Sequence, residues 1–115
     1  MRSGSWEVTL VCVRDAVDTG AVAEVKERFN ALLERDGDVI LDVRGAAVDS
    51  TGLGAMLSLQ RQLELRERRL LVVTQGASLL TLLDTAGATG ALALYPDVEA
   101  ATRDTRSVKE LAVGV

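Results

Sequence analysis

The hexapeptide DSTGLG, Asp49 to Gly54, holds the residues of this chain whose types and spacing best suit chemistry. It follows a short apolar segment and precedes a helical pattern, so Ser50 or Thr51 falls where a helix begins. A hydroxyl at such a place can accept a phosphoryl group, which adds about −1.5 to −2 charges at neutral pH. The start of a helix tolerates negative charge. One phosphate added here would therefore change the surface and leave the fold intact.

Two other interpretations of the hexapeptide stay open on spacing alone. In one, Asp49 or Ser50 caps the following helix by accepting a backbone N–H bond, while Gly52 and Gly54 permit a tight entry into it. In the other, unpaired N–H groups of the first helical turn hold a nucleotide phosphate. That second signal is weak. The segment lacks a third glycine, and no Lys or Arg follows within six residues, so the known dinucleotide and P-loop fingerprints are not matched.

The chain contains no histidine and a single cysteine, Cys12, which limits the chemistry it can perform. The usual general base, the triads that depend on it and the commonest zinc ligand are therefore missing. One cysteine can form neither an intrachain disulfide nor a cysteine metal cluster. The carboxylates of Asp42, Asp49 and Asp84 are scattered rather than grouped as a catalytic set. We expect no enzymatic activity, no metal and no cofactor.

Composition excludes further classes of partner. Thirteen basic against 17 acidic side chains leave a net charge of −4, which argues against nucleic acid binding. Apolar runs stay far below the roughly 18 to 20 residues that cross a bilayer, and the first residues lack a signal-peptide pattern. We therefore expect a cytoplasmic protein that does not associate with membranes.

The elements that must position the hexapeptide alternate along the chain. Strand patterns are predicted at Glu7–Val13, Val39–Val43, Leu70–Thr74 and Ala91–Tyr95. Helical patterns begin after Asp18 or Thr19, at the hexapeptide, at Gly76 to Ser78 and at Pro96 to Asp97. The third helix is expected to stop at Gly87, and the last is expected to continue to about Leu111.

This alternation predicts an α/β sandwich. We expect about four strands in a mostly parallel sheet, with helices packed chiefly on one face. The 115 residues should form a single domain with a core over about residues 7–102, and residues 103–115 should form a C-terminal helix or tail.

Nearly the whole chain, from about residue 7 to 102, resembles the STAS domain of anti-sigma factor antagonists, also called anti-anti-sigma factors. The likeness lies in three stretches. They are the run from Val39 through DSTGLG to Leu57, the helix entry at Val17 and Asp18, and the segment QGASLLTLLDTAG from Gln75 to Gly87. Family members usually have a further strand before the one predicted at Glu7, so we expect that edge of the sheet to be shorter or differently covered.

The resemblance implies a bacterial regulator of transcription that works by partner switching. In that family the unphosphorylated antagonist binds an anti-sigma factor, a serine kinase, and releases a sigma factor. Phosphorylation of the serine after the motif aspartate blocks the complex, and a phosphatase would reverse it. That serine corresponds here to Ser50, with Thr51 as second choice. The resemblance implies partner contacts at Asp18, Asp49, Ser50, Thr51, Gly52, Leu53 and Gly54.

The resemblance also bears on assembly and on competing functions. ATP and magnesium would come with the kinase, and the chain itself is expected to be a monomer or a weak homodimer. The main alternative is a STAS interaction module that is never phosphorylated, such as a stressosome-like scaffold or a regulatory subunit of transporters or lipid-transport complexes. A small enzyme or nucleotide-binding domain is the least favoured alternative.

Overall fold

The computed structural model describes residues 7–14, 20–104 and 110–114 of the chain. Strands and helices alternate through these ranges. The strands are β1 (Glu7–Cys12), β2 (Val39–Asp42), β3 (Leu70–Val73), β4 (Ala93–Tyr95) and β5 (Glu110–Gly114). The helices are α1 (Val22–Leu32), α2 (Ser50–Glu64), α3 (Ser78–Thr85) and α4 (Val98–Arg103).

The strands form one parallel sheet in the order β4, β3, β2, β1, β5. β2 lies at the centre, where Leu41 is opposite Val11 of β1 and Val72 of β3. Parallel neighbours cannot be joined by a tight turn, so the connections cross over through helices. This requirement explains the alternation of strand and helix patterns in the sequence.

The helices cover the two faces of the sheet unequally. Helices α1, α2 and α3 pack on one face, and Phe29, Met56 and Leu83 are among the residues they bury there. Helix α4 packs on the other face, over a smaller core of Val8, Ile40, Leu71, Val73 and Ala101. Burial on both faces explains why β2 and β3 are nearly continuous apolar runs rather than alternating ones.

The predicted α/β class, with a parallel sheet and helices chiefly on one face, is confirmed. The predicted last helix is wrong in its extent, since α4 ends at Arg103 and Glu110–Gly114 forms β5. β5 pairs along Glu7 to Val11, on the side of β1 that β2 does not occupy. Backbone pairing with a distant strand outweighs the thin helical spacing in this segment.

Side-chain contacts hold the chain where α4 ends. The Tyr95 hydroxyl donates to the carboxylate of Asp104, and Arg69 Nη1 donates to the Asp104 carbonyl at 2.6 Å. Tyr95 belongs to β4, and Arg69 lies directly before β3, 35 residues earlier than Asp104, so helical spacing alone could not reveal this boundary.

The start of α1 also differs from expectation. Its N-cap residue is Ala21, which makes no side-chain capping bond. Asp18 and Thr19, the predicted caps, lie outside the described residues. The structure therefore places the N-cap at Ala21, and the prediction that Asp18 or Thr19 caps α1 concerns residues outside the described ranges.

Candidate functional site

The hexapeptide lies at the carboxyl edge of the sheet. The segment from Val43 to Asp49 leaves β2 at this edge, and α2 begins at Ser50. Every strand of a parallel sheet ends on the same side, and the loops gathered there commonly bind ligands and partners. The fold thus presents both hydroxyls of the motif at the end of the molecule where binding is usual.

Asp49, and not Ser50, caps α2. The Asp49 backbone is extended, with φ −103° and ψ −174°, and its Oδ1 accepts a hydrogen bond from the Gly52 N–H at 2.8 Å. Its carbonyl oxygen accepts from the Leu53 N–H, also at 2.8 Å. Such a side-chain cap contributes about 0.5 to 2 kcal/mol. Ser50 is therefore the first helical residue and does not hold the cap.

These contacts weigh against the phosphate-cradle interpretation. The N–H group of Gly52, one of the first-turn donors that a helix leaves open, is already bonded to the Asp49 carboxylate. An incoming nucleotide phosphate would have to displace this carboxylate, which has the same sign of charge. The first turn of α2 is consequently less suited to an external anion than a helix start whose donors are open.

The motif divides into an exposed and a buried part. Ser50, Thr51 and Gly54 are exposed on α2. Gly52 and Leu53 are buried, and Leu53 belongs to the core under α1, α2 and α3. These last two residues, which are also predicted to contact a partner, have little exposed surface, and Leu53 packs the helix start against the core.

An ion pair anchors the loop that leads to the motif. The Asp42 carboxylate at the end of β2 accepts from the Arg44 backbone N–H at 3.1 Å, from Nε at 3.0 Å and from Nη2 at 2.8 Å. The side-chain bond from Arg44 is the main reason that the pKa of Asp42 lies below its usual value. Asp42 is buried, so the pair fixes the first turn of the loop.

In the sequence Asp42 stands as one of several scattered acids, and its pairing with Arg44 is not predicted. The available signal was the spacing of an aspartate and an arginine two residues apart, directly after a buried strand. That spacing is common on surfaces, where it has little energetic value. Burial of the carboxylate, which gives the pair its importance, becomes visible only in the fold.

The remaining predicted groups are Asp18 and Asp84, and of these only Asp84 is described. Asp18 lies outside the described residues. Asp84 accepts a hydrogen bond from Thr89 after α3. Within residues 7–14, 20–104 and 110–114, no cluster of acidic or cysteine side chains has the arrangement to hold a metal ion. Among the same residues, no helix combines the length and apolarity needed to span a membrane.

Comparison with known proteins gives one positive result. The sequence profile described as STAS domain matches residues 4–101, which include all of the hexapeptide and all elements from β1 to β4. A search of curated proteins finds no significant match.

Proposed function

Since the chain belongs to the STAS domain family, we propose that it is a non-enzymatic binding protein that acts as an anti-sigma factor antagonist. Unphosphorylated at Ser50, it binds an anti-sigma factor that is itself a serine kinase, and a sigma factor is released. Phosphorylation of Ser50 by that kinase blocks the complex, and a phosphatase restores it. The kinase brings the ATP and magnesium.

One observation carries the proposal, namely the separation of two roles in the first turn of α2. Asp49 holds the cap through Gly52, while the Ser50 side chain is exposed. A kinase can reach an exposed hydroxyl without removing the cap. The added phosphate lies at the end of the helix that favours anions, so α2 remains folded.

The charge of the phosphate supplies the means of blocking a complex. Asp49 already places one carboxylate at the helix start, and phosphorylated Ser50 would add about −1.5 to −2 charges beside it. A partner docking on this surface must desolvate the phosphate or meet it with like charge, at a cost of several kcal/mol, on the order expected for mispaired interface charges. The fold is unchanged, and only the surface becomes unsuitable for binding the partner.

The proposal is tested with Ser50→Ala and Ser50→Asp in pull-downs with a cognate anti-sigma kinase. We expect Ser50→Ala to bind even with ATP present and Ser50→Asp to bind at least roughly tenfold more weakly. Ser78→Asp is a matched control, because Ser78 is the exposed first residue of α3 as Ser50 is of α2. The control should bind like the parent protein.

Mass spectrometry separates the two hydroxyls and tests the absence of enzymatic activity. After incubation with kinase and ATP, Thr51→Ala should gain one phosphate and Ser50→Ala none. Equal binding by Ser50→Ala and Ser50→Asp would exclude the phosphorylation switch and favour a STAS interaction module without it. A mass increase with ATP alone would contradict the non-enzymatic assignment.

A further inference from the structure

A second feature of the carboxyl edge lies apart from the hexapeptide. A pocket of about 310 Å³ opens at the carboxyl ends of β1, β2 and β3, the three central strands. Its polar lining includes Arg14 after β1, Asp42 and Arg44 at the end of β2, and Gln75 after β3. The volume is at the lower end of the roughly 300 to 1,000 Å³ typical of small-molecule sites.

The position of the pocket on the sheet favours ligand binding. The strands β1, β2 and β3 all lead to helices on one face of the sheet. In open parallel sheets, ligands bind in the crevice outside the carboxyl ends of the strands, which is where this pocket opens.

The charges of the pocket are arranged for an anion. Both oxygens of Asp42 are bonded to Arg44, so this carboxylate has little capacity left for a cation. Nη1 of Arg44 takes no part in that pair. Arg14 is exposed, and its charge reaches the Asp42 carboxyl, where it contributes to the lowered pKa. The pocket lining thus carries two guanidinium groups and one carboxylate, which Arg44 already neutralises.

The backbone brings these groups close together. A Cβ atom added at Gly45 would lie 4.0 Å from the Arg14 Cα, so the segments after β1 and β2 lie next to each other here. Guanidinium groups donate in a fixed fork that matches the oxygens of phosphate and carboxylate. The Gln75 amide adds a neutral donor and acceptor from the third strand.

We propose that this pocket binds an oxyanion, the phosphate or carboxylate group of a small molecule, between Arg14 and Arg44. The wall of the pocket formed by Asp42 to Gly45 is also the beginning of the loop that leads to Ser50. A bound anion therefore contacts the loop that carries the start of the hexapeptide. The site does not depend on phosphorylation of Ser50.

The test is a ¹⁵N NMR titration of the full chain with inorganic phosphate, and separately with acetate, at constant ionic strength against chloride. Saturable shifts are expected at the amides of Arg14, Arg44, Gly45 and Gln75. Arg14→Gln should weaken the binding roughly tenfold, since a charge-assisted bond is lost. Arg103→Gln is the control, because that arginine is exposed on α4 and 70% of its side chain is accessible.

A matched pair of variants tests the same site through its charge. Gly45→Asp and Gly45→Asn add side chains of similar size where a Cβ makes only ordinary contact. The carboxylate should abolish binding, whereas the amide should retain it. Linear shifts without saturation, equal affinity of Arg14→Gln and Arg103→Gln, or shifts concentrated at Ser50 to Leu53 would each overturn the proposal.

Discussion

The two ends of α2 differ in how they are held. At its start, small side chains at Ser50 and Thr51 are exposed, and the cap is a single carboxylate. At its end, the chain turns through Glu67 with φ 58° and buries Arg68 to 5% exposure. The strongest anchors thus lie away from the exposed hydroxyls, so the start of the helix can change its charge without endangering the fold.

Arg68 connects the end of α2 to the end of α1. Its Nε donates to the Gly37 carbonyl at 2.6 Å, Nη2 to that of Leu32 at 3.0 Å and Nη1 to that of Leu33 at 3.4 Å. The last carbonyls of a helix have no partner within it, and Arg68 supplies donors to this group. A buried side chain with several long-range contacts is expected to contribute more to stability than a surface cap.

The largest effect is therefore expected from Arg68→Ala, which removes one donor from the buried Leu32 carbonyl and from the part-buried carbonyls of Gly37 and Leu33, and which opens a cavity. We expect a loss of about 3 kcal/mol or more in the free energy of unfolding, measured with urea. Arg68→Lys should recover little, because one ammonium cannot reproduce the fork. If Arg68→Ala lowered the free energy of unfolding by less than Asp49→Ala, which removes the α2 cap, the proposed contrast between the two ends of α2 would be contradicted.

Asp42→Asn is expected to have the next largest effect, about 1 to 3 kcal/mol at neutral pH. The bond from Arg44 lowers the pKa of Asp42 in the folded protein. The pair therefore stabilises the fold above the unfolded carboxyl pKa of about 3.9, and this contribution is lost as pH falls through the lower folded value. Urea unfolding across that range should show the variant and the parent converging in acid; a constant difference would show that the effect is not ionic.

Asp49→Ala should cost about 1 kcal/mol in urea unfolding, because the bond to the Gly52 N–H is lost. Asp49→Asn keeps an acceptor oxygen and should lose less. Ser50→Ala should leave stability within about 0.5 kcal/mol of the parent, as expected for an exposed position. The opposite order, with Ser50→Ala more damaging than Asp49→Ala, would mean that Ser50 holds the cap.

The smallest effect is a gain. Glu67 has a left-handed backbone that glycine adopts more readily, so Glu67→Gly should stabilise the protein by about 0.5 to 1 kcal/mol. Glu67→Ala removes the same side chain without relieving the backbone, and it separates the two contributions. The measurement is the midpoint temperature of thermal unfolding. If this temperature were unchanged in Glu67→Gly and raised in Glu67→Ala, the backbone at this turn would not be strained.

Local patterns predicted much of the framework around this helix. The apolar run before the motif and the helical stripe after it placed β2 and α2 to within a residue or two. Both elements are marked by neighbouring residues, namely a continuous buried strand and a helix entry with an aspartate, a serine and glycines. The choice between Asp49 and Ser50 as the cap stayed open, because both residue types accept the same bond and only the backbone geometry decides between them.

Contacts between distant segments were not predictable in the same way. The segment Glu110–Gly114 has spacing that fits a thin helical stripe, yet it pairs with β1 about a hundred residues earlier. Arg68 stands in the charged run from Arg66 to Arg69, which resembles any solvated helix end. Its burial depends on contact with the end of α1, and the residues next to Arg68 in the sequence do not predict that contact.

The sequence by itself determined the alternation of strands and helices, the place of the hexapeptide between them and the lack of histidine chemistry. These features depend on residue type and on spacing within one or two turns. Only the tertiary structure decided that Asp49 caps α2, that Asp42 is paired and buried, and that Arg68 bonds the carbonyls at the end of α1. It also decided that the last described segment is a strand. Burial and pairing across the sheet set the energies of those groups, and both arise only when segments distant in sequence meet.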